Sequence, residues 1–294
     1  MYLAILNSVD PYYNMATDEY FLTIKKIPLI TIWRNDNAVI VGKNQNTLKE
    51  INNQYLNEHN IKVVRRISGG GAVFHDLGNI NFSFFIPREK EKDFNFKYFL
   101  LPIQKILMDL GLDIEISGRN DLLLNGAKIS GSAQYMTSDF LMHHGTILFS
   151  IDTFKATKVL NPNPLKLEAK GVDSVKSRIT NIKKYLNQTK YKDLDVLEFI
   201  NILATGFKNY YPTIIPYELS DEDKKIIQEL TDNKYKTFEH NFQKNPSTNI
   251  FKEKYIKDFG YIEIHLLIKE SSIEQIKIFG DFFSKISLDS FYDK

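Results

Sequence analysis

Cysteine is absent from all 294 residues, which excludes disulfides, thiolate nucleophiles and sulfur-ligated metal sites. Charge of one sign is also scarce. Lys and Arg number 38 against 36 Asp and Glu, a net charge of +2, and no Lys/Arg run exceeds a pair. The sequence therefore has no electrostatic footprint for nucleic acid. No stretch approaches the ~18 uninterrupted apolar residues of a membrane span. The N-terminal "MYLAILNSVDPYYN" lacks the basic region of a secretory leader. These absences imply a cytoplasmic enzyme or binding protein that engages neither nucleic acid nor membrane. With 43% apolar and 25% charged residues, the chain suits one large domain, or a large domain with a small partner.

The patterning predicts an α+β fold of mixed sheets flanked by helices. A helix is expected over 15–25 with Asn14 as its cap. Strands are expected over 29–34 and 37–42, with a turn at Asn35-Asp36. Thr47 to Glu50 reads as a capping box, with Leu48, Ile51, Tyr55 and Leu56 on one helical face. The segment 61–68 reads as a strand. Residues 79–85, "NINFSFF", alternate as a half-buried strand, and Phe99, Ile103, Ile106 and Leu110 mark a helix ending at Gly111, with Pro102 near its start. Further strands are expected around 112–117, 121–124, 127–134 and 145–151, and polar loop over 152–192. Helices are expected over 194–207 and 220–230, the second opening on a Ser220-x-x-Asp223 box. Residues 239–249 form a polar connector. A hairpin around 269–272 follows. Residues 1–245 thus form the main domain and 246–294 a small accessory one.

Three stretches carry chemistry. In "RRISGGGAVFHDLGN" (65–79) three consecutive glycines follow two arginines. Each glycine costs ~0.5–1 kcal/mol relative to alanine in a regular element. Neither common nucleotide loop is present, since G-x-x-x-x-G-K-[ST] is absent and Gly69-x-Gly71-x-x-Phe74 lacks its last glycine. The run is either a tight turn beside surface arginines or an anion nest to which Arg66 adds a bidentate guanidinium. In "GRNDLLLNGAKISGSAQ" (118–134), Lys128 lies among small residues that leave room for a ligand beside its ammonium, although a lone lysine is more commonly a solvated charge. Asp121 would hold a metal or a ribose, or merely cap a strand. In "HHGTILFS" (143–150), adjacent histidines on a strand point to opposite faces, so His143 and His144 do not share a metal. His75 is ambiguous in the same way, and Trp33 serves a core or the wall of an apolar pocket.

Taken together these stretches resemble the lipoate–protein ligase family, within the biotin/lipoate ligase group. "RRISGGGAVFHDLGNINFSF", "NDLLLNGAKISGSAQ" and "HHGTILF" are similar to its signatures, as are, more weakly, "WRNDNAVIVGKNQN" (33–46) and "GVDSVKSRITNI" (171–182). The resemblance runs across nearly the whole chain. It implies a two-step reaction in which lipoate and MgATP form lipoyl-AMP and pyrophosphate, and the lipoyl group then passes to a lysine of an acceptor domain. The acceptor would be a 2-oxoacid dehydrogenase acyltransferase subunit or the glycine-cleavage H protein. The resemblance assigns ATP to Arg66, Gly71, Ala72, Val73, Phe74 and Lys128, and lipoate to Trp33, Arg66, Gly70, His144 and Lys128. Lys128 would be catalytic and Asp121 a ligand of Mg²⁺. Alternatives are ligation of octanoate or biotin, or a non-catalytic homologue that binds lipoylated domains. Related transferases on this fold carry the acyl group on a cysteine, which this chain lacks. The segment 246–294 is shorter than the family's accessory domain usually is.

Overall fold

The computed structural model describes residues 1–118, 120–161, 179–187, 189–242, 249–257, 259–270 and 272–283. Its strands are β1 (Tyr2–Ile5), β2 (Leu29–Trp33), β3 (Ala38–Val41), β4 (Lys62–Arg65), β5 (Val73–His75), β6 (Asn79–Pro87), β7 (Ile114–Ser117), β8 (Asp121–Leu124), β9 (Ala127–Met136), β10 (Phe140–Leu148) and β11 (Ile215–Pro216). Eight of them join in the order β11-β1-β2-β6-β10-β9-β8-β7, while β3 lies between β4 and β5 in a second, small sheet. The helices are α1 (Pro11–Tyr20), α2 (Thr47–Glu50), α3 (Asn53–Glu58), α4 (Phe96–Met108), α5 (Thr153–Val159), α6 (Lys183–Leu186), α7 (Val196–Tyr210), α8 (Asp221–Leu230) and α9 (Phe238–Phe242).

The large sheet is covered on both faces. Phe82, Phe84 and Ile147 pack with Phe99 of α4 and with Leu203 and Phe207 of α7. On the other face Trp33, Phe85 and Met142 pack with Met15, Ala16 and Tyr20 of α1. This corrects the half-buried reading of β6, whose first seven residues are all buried. The alternation is real, but its polar positions Asn79, Asn81 and Ser83 face the interior rather than water.

Other differences have local causes. β2 and β3, the strands on either side of Asn35-Asp36, belong to different sheets. The first helix starts at Pro11 rather than Met15, since Asp10 caps it by accepting from the Tyr12 amide and Pro11 suits the first turn. Asn14 lies inside it and donates to the carbonyls of Ser8 and Arg34. Its last expected residues, Phe21–Lys25, form a π-helical turn. Thr47 makes no capping box. Its hydroxyl instead accepts from Arg65 and donates to the Asn241 carbonyl, and the chain is extended at Ile51, which splits the expected helical face between α2 and α3. Pro102 lies within α4, which begins under an Asn95 cap. The expected loop over 152–192 contains α5 and α6, while its residues 162–178 lie outside the described ones. The connector begins within α9, with 243–248 likewise outside. The predicted hairpin is β13 (Gly260–Lys269) and β14 (Ser272–Gly280), and β12 (Ile250–Ile256) makes it three-stranded. The Ser220–Asp223 capping box is present as expected. Among the described residues no helix is long and apolar enough to cross a membrane.

Asp223 also locks α8 to the rest of the fold. Its buried carboxylate accepts from Tyr20 Oη at 2.5 Å, Tyr217 Oη at 2.6 Å and Lys25 Nζ at 2.9 Å, besides the Ser220 amide. Burial opposes its ionisation, but these donors outweigh burial and hold its pKa well below the ordinary carboxylate value. The stability it contributes is therefore present above the unfolded pKa of ~4 and lost as pH falls further. Asp223→Asn is expected to cost ~2–4 kcal/mol at pH 7. Urea titrations across pH should show the gap to wild type narrowing below about pH 4.

Candidate active site

The polar side of the strand alternation meets the small sheet. In the large sheet Thr31, Ser83, His144 and Ala133 are cross-strand neighbours, and Trp33, Asn81 and Thr146 form the adjoining row. Of these, Trp33, Asn81, Ala133, His144 and Thr146 line a cavity of about 570 Å³ together with Ile40, Val73 and His75, and it also reaches Met15, Arg66, Gly70, Gly71, Asp121 and Lys128. The predicted site residues Trp33, Arg66, Gly70, Gly71, Ala72, Val73, Asp121, Lys128 and His144 therefore line one space. Phe74 does not join them, since its side chain packs in the core of the small sheet; a role for that residue would rest on its backbone.

The two arginines divide the work. Arg65 is 2% exposed and supports the scaffold, donating to the carbonyls of Gly42, Lys43, Gln45, His240 and Asn241 and to Thr47 Oγ. Arg66 ties down the glycine run. Its Nη2 donates to the carbonyls of Gly69 at 2.7 Å and Gly71 at 2.9 Å, its Nη1 to that of Ile40, and its Nε to Ser68 Oγ. The surface-arginine reading of this motif is excluded, as both are buried. Burial lowers each guanidinium pKa to about 10, so both stay charged at neutral pH. Gly70 has φ +95°, and a Cβ there would approach Arg66 Nη2 to 2.9 Å. A Cβ on Gly42 would collide with the Gly70 carbonyl, and one on Gly69 with the Phe282 carbonyl. The glycines are required by close approach on several sides.

Lys128 is not a solvated surface charge. Its Nζ donates to Asp121 Oδ1 at 2.6 Å, with both side chains mostly shielded. Gly131 makes room for it, because a Cβ there would come within 2.5 Å of Nζ. Among the described residues no group of three His, Asp or Glu side chains could hold a metal ion. Asp121 lines the cavity and offers a carboxylate oxygen, the donor type that hard cations take.

The histidines separate as expected. His143 stacks on Phe99 at 4.6 Å within the helical core, where burial pushes its pKa well below the ordinary value. His144 faces the cavity. His75 lies there too, with its pKa lowered to about 3, first by burial and then by Arg66 and His144.

The sequence reading missed Asp18, a carboxylate 2% exposed beneath His144. The available signal was its spacing of three from Met15 on α1, an acidic group on an otherwise buried helical face. It also missed the C-terminal segment. Tyr255, Phe259, Asp281 and Phe283 border the cavity. The segment is held there by a Gly280 amide bond to the Asn44 carbonyl at 2.7 Å and a Lys49–Glu263 ion pair at 2.9 Å.

Comparison with known proteins gives consistent matches. Residues 10–208 match the family model described as the lipoyl protein ligase A/B catalytic domain, and 245–294 match that of the bacterial lipoate protein ligase C-terminus. The chain is 40% identical over 282 residues to lipoate–protein ligase 1 of Staphylococcus aureus (strain Mu50), covering 94% of this chain and 83% of that protein. A bipartite lipoate protein ligase of Thermoplasma acidophilum, studied with its E2 lipoyl domain, superposes with a TM-score of 0.71 at 26% identity, covering 85% of this chain and 98% of that one. A lipoate–protein ligase A bound with ATP gives a TM-score of 0.69, also at 26% identity, over 82% and 98%.

Substitution of Gly70 tests whether Arg66 fixes the loop. Gly111 has a similar φ of +85° but open space around it, so Gly111→Ala reports backbone strain alone. Gly70→Ala is expected to lose about 1–3 kcal/mol more, the scale of disturbed hydrogen bonds to a charged group. Equal melting temperatures of the two variants in calorimetry would refute the tie.

Proposed function

Since the chain belongs to the lipoate–protein ligase family, we propose that this cavity joins lipoate to AMP and passes the lipoyl group to an acceptor lysine. The observation that carries this reading is the convergence of the Arg66-bound glycine run and the Lys128–Asp121 pair on one cavity that also has an apolar wall. Such a space accommodates phosphates at one side and an alkyl acid at the other.

In the first step a carboxylate oxygen of lipoate attacks the α-phosphorus of ATP. The bond to the β,γ-phosphates breaks, and pyrophosphate leaves. Two anions must approach, and charge builds on the α-phosphate oxygens as they do. Lys128 supplies a fixed ammonium at that point, and it stabilises the transition state more than the separated reactants. Asp121 holds the ammonium in place. Gly71, Ala72, Val73 and Phe74 offer main chain to the nucleotide, and Gly70 and Arg66 hold the reacting groups against it. Trp33 and His144 line the lipoyl tunnel. In the second step the acceptor ε-amine attacks the acyl carbon, AMP departs and the amine loses a proton, with Lys128 polarising the carbonyl. Asp121 would hold Mg²⁺, which when bound would supply positive charge against the departing pyrophosphate.

We assign this chemistry to residues 1–245 and an accessory role to 246–294. The acceptor is a lipoyl domain of a 2-oxoacid dehydrogenase acyltransferase subunit or the H protein, and the reaction takes place in the cytoplasm, where ATP is supplied. The decisive assay is pyrophosphate release from MgATP with lipoate and no acceptor. Release should require lipoate and be abolished by EDTA. Lys128→Ala should lower it by about 10²–10³, the scale of one preorganised donor. Release that ignores lipoate, or a mutant with near-normal turnover, would sink the proposal.

A further inference from the structure

Asp18 receives two hydrogen-bond chains, one from each side of the cavity. On one branch Arg66 Nε donates to Ser68 Oγ at 3.1 Å, Ser68 Oγ lies 2.6 Å from His144 Nε2, and His144 Nδ1 lies 3.1 Å from Asp18 Oδ2. On the other, Trp33 Nε1 donates to Ser83 Oγ at 3.4 Å and Ser83 Oγ donates to Asp18 Oδ1 at 2.9 Å. The donor directions are consistent throughout. With Asp18 as an acceptor and one ring proton on the imidazole, His144 carries that proton on Nδ1. Its Nε2 then accepts from the Ser68 hydroxyl, whose oxygen accepts from Arg66. Asp18 and His144 are 2% and 8% exposed, and Ser68 and Ser83 are fully buried. The order Ser68–His144–Asp18 is that of a hydrolytic triad, but the buried serine, already engaged by a guanidinium, is not placed to attack a ligand.

We infer that Asp18 is a positioning residue that couples the two halves of the site, setting the Arg66 guanidinium through His144 and Ser68 and the Trp33 indole through Ser83. This rests on the ligase reading, in which Arg66 serves the nucleotide and Trp33 the lipoyl chain. A buried carboxylate at a branch point makes the phosphate loop and the acid-binding wall parts of one network. A disturbance at either wall is then felt at the other.

The test uses full-length protein in the pyrophosphate-release assay, with ATP and lipoate varied separately. Ser68→Ala cuts only the Arg66 branch and should raise KM for ATP about tenfold with little change for lipoate. Ser83→Ala cuts only the Trp33 branch and should do the reverse. Asp18→Asn should raise both, and its effect on KM for ATP should largely disappear in a Ser68→Ala background, because a chain already cut cannot be cut again. Circular dichroism confirms that each variant is folded, and the two serine variants carry the test by themselves if Asp18→Asn is not. Equal effects of the serine variants on both substrates, or additive effects of Asp18→Asn and Ser68→Ala, overturn the inference while the ligase reading stands. A wild-type protein that releases no pyrophosphate overturns both.

Discussion

A guanidinium taken out of water must find acceptors or the fold does not form. Everything at this site follows from how two adjacent arginines meet that demand. Arg65 ends β4 and Arg66 follows it, and their side chains meet different sets of carbonyls. Arg65 gathers carbonyls from the 42–47 turn and from α9, which fixes the scaffold around β4. Arg66 gathers those of Gly69 and Gly71, which fixes the loop that follows. With one arginine serving the scaffold and the other the loop, the glycine run acquires a defined shape without a regular element to hold it.

That constraint explains the glycines and, through them, the packing around the site. The loop carbonyls are turned onto Arg66, Gly70 takes a conformation that side chains disfavour, and the backbones of Gly42 and Phe282 press against it. A Cβ at Gly42 or Gly69 would displace main chain, and one at Gly70 would press on the Arg66 guanidinium. The small sheet is thereby held over the large one at a separation that leaves a cavity. Asn81 of β6, Ser132 of β9 and His144 and Thr146 of β10 line that cavity instead of filling it.

Much of this was legible in the sequence, and the gaps have physical reasons. Local signals worked where a residue's role depends on its neighbours in the chain. The opposed faces of His143 and His144, the Ser220–Asp223 cap and the room left beside Lys128 all follow from adjacent residues. Reading failed where the deciding partner is distant. Thr47 looked like a cap, but Arg65 and Asn241 claim its hydroxyl. Asn14 also looked like a cap, but it serves carbonyls at 8 and 34. Alternation in "NINFSFF" gave the correct period and the wrong medium, because a period of two distinguishes faces and not whether a polar face meets water or an enclosed site. The recurrence of Asn and Ser, rather than Lys or Glu, on that face was the available clue: short uncharged groups can be satisfied within a protein, whereas long charged ones are rarely buried.

The same reasoning accounts for Asp18. A carboxylate on the buried side of α1 has no place in a core unless donors meet it, and the donors lie on β6 and β10, more than sixty residues further along the chain. A helix of modest apolar content therefore docks on this face of the sheet by way of a polar centre as well as by Met15 and Ala16. Removing the carboxylate would leave Ser83 and His144 without an acceptor inside the fold, so the group that looks least suited to burial in α1 is the one that the opposite wall requires. Docking of α1 and order in the site thus share one polar group, the Asp18 carboxylate, set within the apolar packing of the helix.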